Sequence, residues 1–357
     1  MSNNQKSSFY SRFAEVAAEL RFELQGYESE FEEYLKELQS RLQPSISTTV
    51  PIHSSRLHSY SNLPLNFWFL TGFSDGEASF GVSIRRNPKR VLGFSVDPAF
   101  QIELHKKDAE LLSRIQASLA GVGAINEKST SINFKVRSLK QITGVIIPHF
   151  DKYPLITQKR ADYLLFREVV MMKVRKEHLT EQGLLKIVAI RASMNKGLSD
   201  QLSEAFPHIT PILRPLISSQ VIPHPEWMAG FTSGEGCFLV LIRKSKTKTG
   251  FRVSLRFNLG QHVRDEELFN KFIEYFDGGN IYHYKEAVHF IVEKFSDIEH
   301  KILPFFNKYP ILGEKSLNFE GFSQVASLMR EKKHLTPEGL DQIQLIKAGL
   351  NKGRKYE

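Results

Sequence analysis

The sequence predicts an α+β protein made of two αββαββα units related by a pseudo-twofold axis, joined through a pair of packed helices, with one antiparallel sheet in each unit. Three observations carry this expectation. The chain repeats itself, runs of period-two alternation recur at matching places in both copies, and each copy opens on a helix with small residues four apart.

Residues 148–197 laid over 304–353 give 20 identities in 50 positions without a gap, where average residue usage gives about three. The matches cluster at Lys152-Tyr153-Pro154 with Lys308-Tyr309-Pro310, His178-Leu179-Thr180 with His334-Leu335-Thr336, and Asn195-Lys196-Gly197 with Asn351-Lys352-Gly353. Upstream the offset drifts from 156 to 157 at His105/His262 and Asp108/Asp265, then to 158 at Gly72/Gly230, Gly76/Gly234 and Glu77/Glu235, as short loop insertions produce. The boundaries that follow are an N-terminal repeat over 65–204, a proline-bearing linker over 205–223 and a C-terminal repeat over 224–357. Residues 1–64 stand apart as an acidic helical appendage and linker. Phe13, Val16, Ala17, Leu20 and Leu24 keep helical spacing there, as do Phe31, Tyr34, Leu35 and Leu38, before a Ser/Pro-rich run from Pro44.

Inside each repeat the elements read in order. Residues 65–77 and 224–235 form helices that run straight into strands. In the first strand Phe80, Val82 and Ile84 alternate with Ser79, Ser83 and Arg85; in its partner Val96, Phe100 and Ile102 alternate with Asp97, Gln101 and Glu103. Ile132, Phe134 and Val136 then face in while Asn133, Lys135 and Arg137 face out. The second copy sets Phe238, Val240 and Ile242 against Cys237, Leu239, Leu241 and Arg243, and Val253, Leu255 and Phe257 against Arg252, Arg256 and Asn258. Period two with one polar side means that each sheet covers a core with one face and offers the other to a wet partner.

Composition narrows the partner. The 357 residues carry 48 basic and 39 acidic side chains, a net +9. Residues 1–50 hold five basic groups against eight glutamates, so the repeats and their joints hold 43 basic against 31 acidic. Such a balance calls for an anionic partner. No stretch approaches the roughly 18 consecutive apolar residues of a membrane span, and no membrane partner is expected. The single cysteine, Cys237, excludes a disulfide framework and cysteine-built zinc fingers. The outward strand residues are of the kinds that read base edges and phosphates, and the basic turns RRNPKR and RKSKTK suit the tips of ribbons lying in a major groove. An ordinary solvated sheet face is the plainer alternative.

The two helix-to-strand junctions are LTGFSDGEASF and MAGFTSGEGCF. Gly72/Gly76 and Gly230/Gly234 would let the two helices approach backbone to backbone. Glu77 and Glu235 would then emerge side by side, as an oxygen site for a hard divalent cation. With these stretches, and with FQIELHKKD, KYPLITQK, KEHLT and NKG, the chain resembles the LAGLIDADG homing endonucleases over residues 65–357. The resemblance is strongest to the single-chain, two-repeat members found in fungal mitochondrial introns, the group that includes I-OnuI. The first motif ends on Ala78 rather than glycine, and the aspartate at Asp75 is Ser233 in the second.

The resemblance implies a monomer whose two sheets form a DNA-binding saddle, in the mitochondrion, cutting one phosphodiester in each strand of a long asymmetric target in double-stranded DNA. It implies that Glu77 and Glu235 bind Mg²⁺ with the carbonyls of Gly76 and Gly234, Mn²⁺ and Ca²⁺ being other cations for the same oxygens. It makes Lys159 and Lys315, five residues after Pro154 and Pro310, the active-site lysines. Gln261 would order water, and the equivalent Leu104 would make the two half-sites chemically unlike. Lys107 and Arg264 would lie near the scissile phosphates. Expected base contacts are Ser79, Ser83, Arg85, Gln101, Glu103, Lys135 and Arg137, with Arg243, Arg252, Arg256 and Asn258 in the second half. Repeated histidines His105 and His262 read as structural groups. An RNA-splicing maturase, with intron RNA as partner, is the alternative on the same fold; a DNA-binding regulator is a further one. Retention of both glutamates and both lysines favours the nuclease.

Overall fold

The computed structural model describes residues 64–218, 220–246 and 249–351. The appendage expected over residues 1–64 lies outside the described residues, Pro64 excepted. In the first repeat the elements are α1 (Phe67–Glu77), β1 (Ala78–Arg86), β2 (Phe94–His105), α2 (Ala109–Ser118), β3 (Ala124–Glu127), β4 (Ser131–Val136), α3 (Ile147–Lys152), α4 (Lys159–Val174), α5 (Glu181–Ala192) and α6 (Asp200–Ala205). The second runs α7 (Pro225–Glu235), β5 (Gly236–Lys244), β6 (Phe251–His262), α8 (Glu266–Phe276), β7 (Asn280–Tyr284), β8 (Ala287–Val292), α9 (Leu303–Lys308), α10 (Lys315–Arg330) and α11 (Pro337–Ala348). Each sheet is antiparallel, in the orders β1-β2-β4-β3 and β5-β6-β8-β7. The architecture is α+β. No described helix is long and apolar enough to cross a membrane.

Local chemistry explains why the motif helices start and stop where they do. The Asn66 side chain accepts from the Trp68 N–H at 2.8 Å, and His224 Nδ1 accepts from the Glu226 N–H at 3.1 Å with Pro225 in the first turn. Both helices then pass without a loop into extended backbone at Ala78 and Gly236. Seven consecutive residues of α1, Phe69 to Asp75, are buried. A helix covered all round belongs at the centre of a molecule, and α1 lies there against α7.

The predicted alternation is realised on the core side: Phe80, Val82, Ile84, Val96, Phe100 and Ile102 are buried in the first repeat, and Phe238, Val240, Val253, Leu255, Phe257 and Leu259 in the second. Each repeat has its own apolar cluster, with an exchange between them. Ile156 of the first repeat sits in the cluster of the second, while Ala229 joins the first cluster and Leu312 packs against it. Asn133, expected to face out, is buried, because Glu103 on the neighbouring strand leans over it and accepts from its amide at 3.4 Å.

Two of the repeated clusters hold the fold. Asn195 and Asn351 adopt positive φ, which asparagine tolerates, and their side-chain amides donate to Phe80 O and Phe238 O at 3.0 and 3.1 Å. Thr180 and Thr336 cap α5 and α11 by accepting from the Gly183 and Gly339 N–H groups at 3.1 Å. Between α6 and α7 the described residues form no helix or strand, yet they are docked. Arg214 donates two hydrogen bonds to Asp162, at 2.8 and 2.7 Å, and the Asp162 side chain is only 5% exposed. Arg214→Ala would remove both guanidinium hydrogen bonds from that carboxylate and leave it the Asn195 N–H, with Arg191 acting on it only through its charge. Breaking a buried pair from one side costs about 3 kcal/mol or more. Urea denaturation should show a loss of that size; a change under about 0.5 kcal/mol would mean that the carboxylate finds other solvation.

Candidate active site

The helix pair α1–α7 places the site. A Cβ on Gly72 would lie 2.0 Å from Trp227 O, and one on Gly230 would lie 2.0 Å from Phe69 O, so each backbone occupies the space that a side chain would need. One turn further on, Gly76 faces the Glu235 side chain and Gly234 faces that of Glu77, with built Cβ atoms 3.1 and 3.2 Å from the Cγ atoms. The close approach therefore delivers both carboxylates to the end of the helix pair, each beside the glycine of the opposite repeat. Burial pushes both carboxyls above the ordinary range, and the charge of Glu235 pushes Glu77 further.

The lysines reach the same place. Lys159 Nζ donates to Gly76 O at 2.7 Å and to Ser74 O at 3.0 Å, and Lys315 Nζ donates to Gly234 O. Burial lowers the pKa of both ammonium groups, opposed by Glu77 and Glu235. Gln261 Nε2 donates to Glu235 Oε1 at 3.4 Å. A cavity on the other side is lined by Glu77, Leu104, Asp108, Gly234, Glu314 and Lys315. Two composite half-sites result. One gathers Glu235, Gln261, Gly76 and Lys159; the other gathers Glu77, Leu104, Gly234 and Lys315.

These donors suit a hard cation: two carboxylates whose charges repel and whose hydration is curtailed, beside backbone carbonyls with a second lone pair. Among the described residues no cluster of three or more His, Cys, Asp or Glu side chains offers a rival site.

Asp75 holds the neighbouring loop. It accepts from the Ile156 and Thr157 N–H groups at 3.0 and 3.2 Å, from Thr157 Oγ1 at 2.6 Å and from Trp227 Nε1 at 2.8 Å, while burial raises its pKa to about 6. Ser233 takes the equivalent place and accepts from the Leu312 N–H at 3.0 Å. His105 and His262 each accept from a backbone N–H two residues on, at 3.3 and 3.2 Å, so they shape the turns after β2 and β6. Lys107 and Arg264 are exposed on those turns.

All eleven expected base-contact residues lie on or beside the outward sheet faces. Ser83, Arg85, Glu103, Arg137, Arg243 and Arg252 are exposed; Ser79, Gln101, Lys135, Arg256 and Asn258 are partly covered. Ser79, Gln101 and Lys135 form one row across β1, β2 and β4, and Arg243 faces Arg252. Three of the eleven are already paired: Arg85 with Asp97 at 3.0 Å, Arg256 with Glu293 at 2.6 Å, and Glu103 with Lys128 and Ser131, both at 2.7 Å. Sequence reasoning passed over Asp108 and Asp265, although both were visible as a repeated match three residues after the histidines.

The family described as LAGLIDADG endonuclease matches residues 70–170 and 228–326. Probable intron-encoded endonuclease 3 of Neurospora crassa is 42% identical over 291 residues, covering 80% of this chain and 54% of that protein, so the chain spans about half of that relative's length. Probable intron-encoded endonuclease 2 of the same organism is 38% identical over 329 residues, covering 88% of this chain and 70% of that one. The crystal structure of the I-SmaMI LAGLIDADG homing endonuclease bound to cleaved DNA superimposes with a TM-score of 0.80 at 43% identity, covering 82% of this chain and 98% of that one. I-SmaMI has also been solved on its uncleaved DNA target in the presence of calcium ions, with a TM-score of 0.79 at 42% identity over 81% of this chain and 99% of that one. Two family matches, one on each repeat and each containing one of the paired glutamates, leave no other assignment: the chain belongs to the LAGLIDADG endonuclease family.

Proposed function

We propose that this protein is a site-specific double-strand DNA endonuclease of intron homing, acting as a monomer with internal pseudo-twofold symmetry in the mitochondrion. The supporting observation is the pairing of Glu77 with Glu235 at the end of the helix interface, each carboxylate beside the opposite repeat's glycine and in the field of two partly buried lysines whose ammonium groups donate to the glycine carbonyls. The working body is the repeats over 65–204 and 224–357 with their linker over 205–223, and residues 1–64 are an appendage to it. Relatives named as intron-encoded proteins of fungi support the setting.

Glu77 and Glu235 would hold the metal, Mg²⁺ on this reading, with the carbonyls of Gly76 and Gly234. When bound, the metal supplies Lewis acidity and a water of lowered pKa. Lys159 and Lys315 fix the carbonyls and set positive charge beside the phosphate, where phosphoryl transfer gathers negative charge. Gln261 orients water in one half-site and Leu104 excludes it in the other, so the two strands are cut at unequal rates. The outward rows Ser79/Gln101/Lys135 and Arg243/Arg252, with Ser83, Arg85, Glu103, Arg137, Arg256 and Asn258, read the duplex.

The test combines a plasmid library of randomised sites with band shifts on duplex DNA and on intron RNA. Linear product with Mg²⁺, abolished by chelation while the band shift on DNA survives, supports the nuclease. RNA binding without cleavage would replace it with the maturase.

A further inference from the structure

We propose that Asp108 and Asp265 are positioning residues that each hold, from one repeat, the loop carrying the active-site lysine of the other: Asp265 sets Lys159, and Asp108 sets Lys315. The inference rests on the nuclease reading and adds that each aspartate governs the nicking of one strand.

The contacts are reciprocal. Asp265 Oδ1 accepts from the Gln158 N–H at 2.7 Å, and Asp108 Oδ1 accepts from the Glu314 N–H at 2.8 Å. Gln158 and Glu314 immediately precede Lys159 and Lys315, the first residues of α4 and α10. Neither helix is capped by its own N-cap side chain. A carboxylate from across the interface meets N–H groups at the positive end of a 16-residue helix, a favourable placement for an anion.

Three further features show that this geometry is built. The lysine loops cross over: Ile156 is buried in the second repeat's core and Leu312 lies against the first. Each aspartate sits on a short turn fixed by the histidine cap at its start. Gly313 has φ +71°, and a Cβ there would lie 2.4 Å from Asp108 Oδ1, so a side chain at this position would evict the carboxylate.

The linker braces the Lys159 side. Buried Gln220 donates to Asp265 Oδ1 at 3.2 Å and to Ile156 O at 2.8 Å, and Arg214 donates to Gln158 O at 3.1 Å. Asp265 is 2% exposed, so its acceptor has no water to fall back on.

The experiment uses the full chain and a duplex carrying a site selected by wild-type cleavage, with each strand labelled separately. Displacing a catalytic group by about 1 Å costs up to about 100-fold in rate. Asp265→Ala should slow one strand about 10- to 100-fold and the other less than about threefold, and Asp108→Ala should do the reverse. Asp265→Asn keeps an oxygen acceptor and should restore most of the rate. Gln220→Ala should slow the same strand as Asp265→Ala, and Gly313→Ala the same strand as Asp108→Ala; these two decide the matter if an aspartate variant does not fold. Equal slowing of both strands, slowing of the same strand by both pairs, or wild-type rates would overturn the inference. A wild-type protein that cuts neither strand overturns instead the reading on which it rests.

Discussion

Glu77→Gln or Glu235→Gln should abolish double-strand cleavage, leaving at most a nick, while tight and salt-dependent DNA binding remains. Glutamine preserves shape and removes the charge, so the outward sheet faces proposed to meet the phosphates are untouched. The substituted half-site loses the carboxylate that faces the opposite repeat's glycine, and with it the local field that would hold a divalent cation. Loss of a cation's stabilisation of the transition state is worth several kcal/mol, or at least about 100- to 1,000-fold at about 1.4 kcal/mol per decade. Gel analysis of supercoiled plasmid reads linear, nicked and uncut forms together. Linear product at the wild-type rate from either variant would remove the glutamates from the mechanism.

Gly72→Ala and Gly230→Ala should be among the most damaging single-methyl changes in the described residues. Alanine favours a helix over glycine by about 1 kcal/mol, so the intrinsic effect is stabilising. Opposing it, the new methyl would sit 2.0 Å from a backbone carbonyl oxygen that no rotamer change can move. The helices must separate along a face where Phe69, Phe73, Trp227 and Phe231 are all buried. Overpacking costs about 1–3 kcal/mol where side chains can yield, and a backbone obstacle exceeds that, so destabilisation wins by more than about 3 kcal/mol net. Against a total stability of about 5–15 kcal/mol, these variants should be insoluble or melt far below wild type. Gly81→Ala is the control, because its nearest neighbour would be Ala99 O at 3.9 Å. A Gly72→Ala protein as stable as the Gly81→Ala protein would mean that the helix pair is looser than described.

Much of this was legible in the sequence. The repeat fixes which residues are equivalent, the alternation fixes which strand faces are covered, and small residues four apart mark a close helix pair before any contact is seen. The pairing of Glu77 with Glu235 follows from those facts. What escaped had no local signature. Lys159 has the same neighbours in sequence whichever repeat its loop leans on, so the crossing of Ile156 into the other core cannot be read from spacing. Asp108 and Asp265 appeared as repeated letters without a role, because accepting from a backbone N–H more than 100 residues away leaves no pattern. In sequence, Ser233 in place of Asp75 is one departure between the two motifs. In the structure it comes with a second one: Trp227 donates to Asp75, while Phe69, its equivalent, has nothing to donate and Ser233 finds Leu312 instead. Glu103 is expected to contact bases and Asn133 to face out, and their mutual hydrogen bond shows that an outward position is also a position beside other outward groups.

The crossing of the two lysine loops has a consequence for how such proteins can be recombined. A repeat lifted from this chain takes with it only one side of each exchange: Asp108 without Gly313, Asp75 without Trp227, Gly72 without the backbone that it was shaped to meet. A hybrid of two relatives would thus be limited by a handful of positions remote from the bases, and could bind both halves of a composite target while cutting neither strand well. Grafting specificity should therefore stop at the sheet faces and leave the matched seam intact, since compatibility is a property of the pair and neither half owns it.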